Sequence, residues 1–346
     1  MKVALIGAGQ IARQHLTCLK ALPDVELAAT CDLSPATAEA AAERYGIRAW
    51  FTDHRTMLEK ARPEVVHVTT PPNSHFRLAM DSFEAGAHVI VEKPATSTFG
   101  ELETLVRCAQ GAGRHLIEDY NYVFNHAPQE ILRRIESGEF GDVTHVEVLI
   151  CLNILGPSGF ADPNSLHPAL TLAGGAIADF LPHLASLAHR FVGPHRTAQV
   201  VWTKRKPSLL PFDEFRAVVE AERGTAALGF SSSSQPDAFW LRVYGERMQA
   251  IANLFETRLT FDGPRNVPKP LRPFFSGLDE GKTIRRAALA TLLRKFKGPG
   301  AYEGLWELLA RTYHALADGS TLPITGIDVL EVNRMVEALK PKERQP

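Results

Sequence analysis

At 346 residues, with 45% hydrophobic and 22% charged side chains, the chain is long enough for two domains. Its balance is that of a globular protein, which excludes disorder, collagen and coiled coil as the main architecture. Thirty-eight Lys and Arg against 39 Asp and Glu leave a formal charge of -1, so no global basic excess draws the chain to nucleic acid or an anionic membrane.

The first 120 residues alternate short apolar runs with helix-like segments, the mark of a βαβ parallel sheet. Val3–Ile6 reads as a strand and Gln10–Lys20 as a helix, with Val25–Cys31 the second strand. Ser34-Pro35 starts a helix, serine as cap and proline in the first turn, and Gly46 ends it after Tyr45. Val65–Val68, Ala87–Val91 and His115–Glu118 are further short strands. The pattern changes after Tyr120. Val143–Cys151 is long and partly alternating, and 196–204, 214–221, 225–232, 239–245 and 248–262 are strand-like with few helices between, which suggests an antiparallel or mixed sheet. Helices return near 176–192, 278–296, 301–317 and 326–339. The expected division is a domain over 1–120 and a second over 121–346.

Cys18, Cys31, Cys108 and Cys151 include no C-x-x-C pair, which fits a reducing compartment and no zinc or redox motif. The apolar run Val3–Ile6 is too short for a secretory leader, and Ala169 to Ala188 is interrupted by Asp179, Pro182 and His183, poor for a membrane span. The expectation is a cytoplasmic protein without an integral membrane segment. Nor does any H-E-x-x-H or zinc-like cluster support a metal hydrolase, and no metal is expected.

Gly7-Ala8-Gly9-Gln10-Ile11-Ala12 matches G-x-G-x-x-[GA] between a predicted strand and a predicted helix. Gly7 permits the tight turn, Gly9 admits a pyrophosphate to the backbone, and Ala12 keeps helix and strand close. The helix N-terminus, at Gln10 and Ile11, offers N–H groups to phosphate. Asp32, at the end of the second apolar run, is placed to accept hydrogen bonds from ribose hydroxyls and to repel a 2′-phosphate. NAD is therefore favoured over NADP. A second reading makes Asp32 a turn residue ahead of Ser34-Pro35.

Thr69-Thr70-Pro71-Pro72-Asn73-Ser74-His75 follows the fourth strand and Glu92-Lys93-Pro94 the fifth. Spaced this way behind the glycine loop, they resemble the Gfo/Idh/MocA family of glucose–fructose oxidoreductases, inositol dehydrogenases and relatives, over nearly the whole chain. The resemblance implies an N-terminal Rossmann domain, a doubly wound parallel sheet, and a C-terminal α/β domain with a large open, mostly antiparallel sheet. It implies cofactor contacts at Thr70, Pro71, Asn73, His75, Glu92, Lys93 and Asn121, a catalytic Lys93 and a cis Lys93-Pro94 peptide. A cationic amine at a sheet's carboxyl edge can stabilise developing alkoxide charge.

Gly174-Gly175 and Asp179-x-x-x-His183 resemble a further family segment. On a helix Asp179 and His183 share a face. An imidazole with an ordinary pKa near ~6.5 can take a hydroxyl proton, and Asp179 can hold substrate or stabilise the imidazolium. The competing reading is an N-cap aspartate with Pro182 in the first turn and a core histidine. Ser186 stands where relatives often carry an aspartate, and Val123 where they often carry an arginine. Trp240, and His167 in the loop Gly156–Pro168, are further candidates.

The implied activity is hydride transfer between a hydroxyl carbon of a sugar, cyclitol or nucleotide sugar and the nicotinamide, Lys93 and His183 handling the proton. The alternative is an NAD-dependent glycoside hydrolase working by transient oxidation and elimination. The partner is a small carbohydrate-like substrate, and relatives pair as homodimers or homotetramers. Between Arg265 and Lys297, nine basic residues face only Asp279 and Glu280, a local charge of +7. That segment is either a solvated helix face or a site of attraction for an anion such as a nucleotide-sugar diphosphate.

Overall fold

The computed structural model describes residues 1–155, 168–205, 207–256, 258–264, 267–297 and 302–341. The chain divides into two compact units, Met1–Asn121 with Gly304–Asn333, and Tyr122–Glu303 with Arg334–Pro346.

The first unit is built on β1 (Lys2–Ile6), β2 (Glu26–Cys31), β3 (Ala49–Phe51), β4 (Val65–Val68), β5 (His88–Val91) and β6 (Leu116–Glu118). They pair in parallel in the order β3-β2-β1-β4-β5-β6. The crossovers carry α1 (Ala12–Ala21), α2 (Pro35–Tyr45), α3 (His54–Ala61), α4 (Pro72–Glu84) and α5 (Phe99–Gly111). Val65, Val66 and Val68 are wholly buried, as expected of a parallel strand covered on both faces. The strand order reverses between β1 and β4, which puts the ligand crevice of this fold at the adjoining carboxyl ends.

The helix ends follow local chemistry. Ser34 Oγ accepts the Thr37 N–H at 3.3 Å, Pro35 opens α2, and Gly46 closes it at φ 72°. Ala12, Leu16 and Leu19 of α1 are buried, and Ala12 and Leu16 join Leu5, Ala42, Tyr45 and Ile47 in one cluster. The short β3 and α3 were not anticipated, because three strand residues and eight helical ones carry too little periodicity to read.

Chain from Gly304–Asn333 belongs to the same unit. It includes most of α10 (Glu303–Asp318) and the start of α11 (Gly326–Leu339). Polar contacts fasten it. Tyr313 Oη lies 2.8 Å from His67 Nε2, and Asn333 Nδ2 donates to Glu118 Oε2 at 2.6 Å and to the Tyr120 hydroxyl at 3.1 Å.

The second unit holds β7 (Val143–Cys151), β8 (His195–Thr203), β9 (Glu214–Ala221), β10 (Gly224–Ser231), β11 (Ala238–Gly245), β12 (Gln249–Asn253) and β13 (Arg258–Asp262). Their order is β13-β12-β11-β7-β10-β9-β8, and only β7 and β10 run parallel. The single strand expected over 248–262 is two. Asn253 breaks it: its buried Oδ1 accepts the Phe239 and Phe255 N–H groups at 3.0 and 3.2 Å, fixing a turn.

Helix α8 (Gly175–Val192) packs against β7, β9 and β10, where Val146, Val148, Ile150, Phe215, Leu228 and Phe230 are buried. The opposite side of the sheet includes an ion pair from Arg242 to Glu147 at 3.5 Å and the exposed Val201 and Val218. The unit also contains α6 (His126–Glu136), the short α7 (Pro168–Thr171) and α9 (Arg272–Lys297), which starts six residues before the expected helix. Among the described residues, no helix is long and apolar enough to cross a membrane.

Candidate active site

The turn after β1 is shaped by its neighbour. Gly7 has φ 94°, and a Cβ there would lie 2.6 Å from Thr70 Cγ2 and 2.9 Å from Thr69 C, so only glycine fits. Thr69 Oγ1 donates to Gly7 O at 2.7 Å and locks the two loops together. At Gly9 a Cβ would meet nothing within 4 Å. The protein's own packing does not require that glycine, and it leaves bare backbone open to a ligand.

Ile11 supplies no side-chain cap to α1, whose first-turn N–H groups stand beside the exposed Gly9 and Gln10. Asp32 Oδ2 accepts the Ala8 N–H at 2.8 Å and Oδ1 the Ser34 N–H at 2.9 Å. The carboxylate thus serves both readings of the sequence: it shapes the turn into α2 and it braces the glycine loop. Each oxygen keeps lone-pair capacity for a ribose hydroxyl. The bare Gly9, the uncapped helix start and the ionic acceptor at the end of β2 together fit a dinucleotide. A separate concavity of about 370 Å³ between α1 and α2 touches this loop only at Ala8, and its lining includes Arg13, Thr37 and Arg44.

The loops after β4 and β5 are tied by one side chain. His75 is fully buried, with Nδ1 2.9 Å from Pro94 O and Nε2 2.7 Å from Thr70 O. Burial holds its pKa below the ordinary histidine value although both carbonyls favour the charged form. A buried staple of this kind positions Thr70 and Pro94 and does not itself reach a ligand. Pro71 and Asn73 are exposed and Thr70 half-buried. The Lys93–Pro94 peptide is cis, as the resemblance implied, and Lys93 is half-buried.

Behind Lys93 lies a polar cluster that sequence reading missed. His15 Nε2 is 3.0 Å from Glu92 Oε1, and His15 Nδ1 is 2.9 Å from His67 Nδ1. Asp119, after β6, is also buried, with a carboxyl oxygen within 4.8 Å of one of Glu92. Asn121 is half-buried, and its backbone N–H bonds Asp119. Burial works against charge on Glu92, yet the His15 hydrogen bond, Lys93 and Asp119 hold its pKa below the ordinary value. For Asp119, burial and then the Glu92 charge push the pKa far up. A signal for His15 existed. It lies three residues after Ala12 and one before Leu16, on the helix stripe that faces the sheet.

In the second unit, Asp179 and His183 sit four residues apart on α8, each 5% exposed. Helix α8 starts at Gly175, so Asp179 is its fifth residue and Pro182 is interior; the N-cap reading is wrong. Gly174 and Gly175 are required by close packing, because Cβ atoms there would lie 2.7 Å from Ala178 Cβ and 2.8 Å from Pro211 Cδ. The His183 ring meets Tyr122 edge-on with centroids 4.7 Å apart, and Phe180 at 5.7 Å. Ser186 Oγ donates to His183 O at 3.2 Å.

Trp240 does not join this group. Along β11, Phe239, Leu241 and Val243 are buried, and Phe239 meets Tyr122 edge-on with centroids 4.7 Å apart. Trp240 points to the other side of the sheet, 5.9 Å beneath the Arg258 guanidinium. His167 and the stretch 156–167 lie outside the described residues. In the basic segment, Lys282, Arg285 and Arg286 are exposed on α9, and Arg265 is outside the described residues.

Comparison with known proteins bears on both units. Residues 1–120 match the oxidoreductase family with an NAD-binding Rossmann fold, and residues 129–251 match the GFO/IDH/MocA C-terminal domain. The chain belongs to the Gfo/Idh/MocA family. This family member is 33% identical over 144 residues to D-glucoside 3-dehydrogenase of Escherichia coli (strain K12), 41% of each chain. It is 28% identical over 156 residues to glycosyl hydrolase family 109 protein 2 of Akkermansia muciniphila, covering 42% of this chain and 33% of that one. The chain thus spans about a third to two-fifths of the length of these curated relatives. Its fold is that of levoglucosan dehydrogenase solved with NADH and levoglucosan, with a TM-score of 0.81 at 20% identity, covering 98% of this chain and 95% of that one.

Proposed function

We propose that this Gfo/Idh/MocA member is an NAD-dependent oxidoreductase acting on a CH–OH group of a sugar, cyclitol or nucleotide sugar. The observation that carries the reading is Asp32, an ionic acceptor bound to the Ala8 N–H at the glycine loop and set where a ribose would lie. The relative named D-glucoside 3-dehydrogenase supports the substrate class. When bound, NAD supplies the hydride acceptor. Gly9 and the start of α1 receive the pyrophosphate, and Thr70, Pro71, Asn73 and Asn121 line the cofactor's course. His75 and Glu92 act from behind, holding the Thr70 and Lys93 loops. Lys93 donates to the substrate oxygen and stabilises it as it loses its proton. His183 takes that proton, and Asp179 steadies the imidazolium or a neighbouring hydroxyl.

The homodimer or homotetramer expected from the resemblance is supported by exposed Val201 and Val218 on the open side of the second sheet. Cytoplasmic residence is supported by four free cysteines.

The test is a titration with NAD and NADP, followed by a sugar and cyclitol panel monitored for NADH. Binding of NAD with net NADH formation is expected. Lys93→Ala and His183→Ala should each lower kcat by roughly 10²–10⁴-fold. Failure to bind either dinucleotide overturns the proposal. A second reading, an NAD-dependent glycoside hydrolase, is favoured by the Akkermansia relative. Glycoside cleavage without net NADH would establish it instead.

A further inference from the structure

The cluster behind Lys93 contains two buried carboxyl groups, Glu92 and Asp119, with an oxygen of each within 4.8 Å of the other. Two carboxylates so placed cannot both ionise, because neither solvent nor distance weakens their repulsion. Donor geometry decides which one does. Glu92 accepts from His15 Nε2 at 3.0 Å, whereas His15 is 3.9 Å from the nearer Asp119 oxygen. Asp119 Oδ1 is buried with no hydrogen-bond partner among the described residues. An oxygen in that position is tolerable on a neutral acid and costly on a carboxylate.

We propose that Asp119 is a positioning residue for Lys93: a carboxylic acid that keeps its proton, donates it to Glu92, and leaves Glu92 as the ionised member of the pair next to Lys93. The role in turnover rests on the reading of Lys93 as catalytic; the charge arrangement does not. With Glu92 ionised, His15 Nε2–H donates to it, and His15 Nδ1, the two His67 nitrogens and the Tyr313 hydroxyl continue one hydrogen-bonded chain away from the pair. The other groups around the pair are Cys18 on α1, His75 on α4, Glu118 at the end of β6, and Asn333 on α11. Glu118 has its own donors in Tyr120, Asn333 and the Ala95 N–H, so it does not compete for His15.

The chemical consequence is an assignment of roles. An ammonium beside that full negative charge stays protonated through neutral pH. Lys93 is then the hydrogen-bond donor that stabilises substrate oxygen, and it is not the base. The proton acceptor must be the imidazole.

The test reads Lys93 directly, in the full chain with lysines reductively ¹³C-dimethylated, a modification that keeps their charge. The Lys93 resonance is assigned by its loss in Lys93→Arg and titrated upward from neutral pH. In the double variant Glu92→Gln/Asp119→Asn, where neither carboxyl can carry the charge, the Lys93 pKa should fall by about 1–3, the effect of losing one opposite charge. In Asp119→Asn alone, where an amide replaces a neutral acid, it should stay put. A fall in Asp119→Asn equal to that in the double variant would show Asp119 ionised and overturn the proposal, as would an unmoved Lys93 in the double variant. Infrared spectra supply a measurement that does not depend on the double variant folding. The wild-type minus Asp119→Asn difference at neutral pH should contain the C=O stretch of a protonated carboxylic acid, and its absence overturns the assignment. Turnover retained in Lys93→Ala would sink the catalytic reading while leaving both spectroscopic results interpretable.

Discussion

Asp32 holds the Ala8 and Ser34 N–H groups before a ribose can compete for the same oxygens. Its removal therefore loosens the glycine loop and deletes the ribose acceptor together. Hydrogen bonds to a charged group are worth about 1.5–3 kcal/mol. Asp32→Ala should weaken NAD binding by roughly 10- to 100-fold, with a smaller loss for NADP because the charge that repels a 2′-phosphate is gone. Paired titrations of the two cofactors would check this; an unchanged NAD affinity contradicts the assignment of Asp32. Residues of this kind were legible because one local turn places them. Gly7, Asp32 and Lys93 each follow the end of a strand and sit in a short motif. His15, His67, Asp119 and Tyr313 were not legible as a group, since they come from α1, β4, the end of β6 and α10. Only the strand order brings them together, and no local spacing encodes it.

Elements were readable where caps and periodicity agreed. Ser34-Pro35 and Gly46 bounded α2 in sequence and do so in the structure. Asn253 misled the reading of 248–262, because an asparagine inside an apolar run signals a turn only once its side chain finds backbone donors. The start of α5 is a strong local device. Thr98 Oγ1 accepts the Glu101 N–H at 3.3 Å, and Glu101 Oε2 accepts the Thr98 N–H at 3.1 Å. This capping box follows four residues after Pro94, so it also anchors the far end of the Lys93 loop. Thr98→Ala should cost about 1 kcal/mol, read as a lower urea midpoint at unchanged m-value. A loss below a few tenths would mean that packing of Leu102 and Leu105, both fully buried, holds the helix start without its cap.

At the scale of the whole molecule, titratable groups of the first unit, from the buried His67 and Glu118 to the exposed His115, couple folding to pH in two opposed directions. His67, His75, His88 and His115 all have pKa values lowered by burial, His88 to about 4. The native state then binds fewer protons than the unfolded one. The contribution of these histidines is complete above their ordinary value near 6.5 and is lost as pH falls from there through each folded value, about 4 for His88. Glu118 runs the other way. Burial raises its pKa from 4.5 to about 7 despite donors from Tyr120, Asn333 and Ala95. Its contribution is complete below 4.5 and is lost as pH rises through about 7. Asp119, raised by burial and by Glu92, adds in the same direction. Glu118→Gln separates the two trends. It loses an acceptor for the Ala95 N–H or for Asn333, an offset that does not vary with pH. It also deletes one titration between 4.5 and 7 that opposes the histidines, while that of Asp119 remains in both proteins. Across that window the variant should gain stability on wild type by up to ~3 kcal/mol, since a tenfold change in proton affinity is worth about 1.4 kcal/mol. Urea unfolding of both proteins at the two ends of the window measures this. A wild-type minus variant difference that stays constant with pH would mean that Glu118 is ionised throughout, its three donors outweighing the cost of burial.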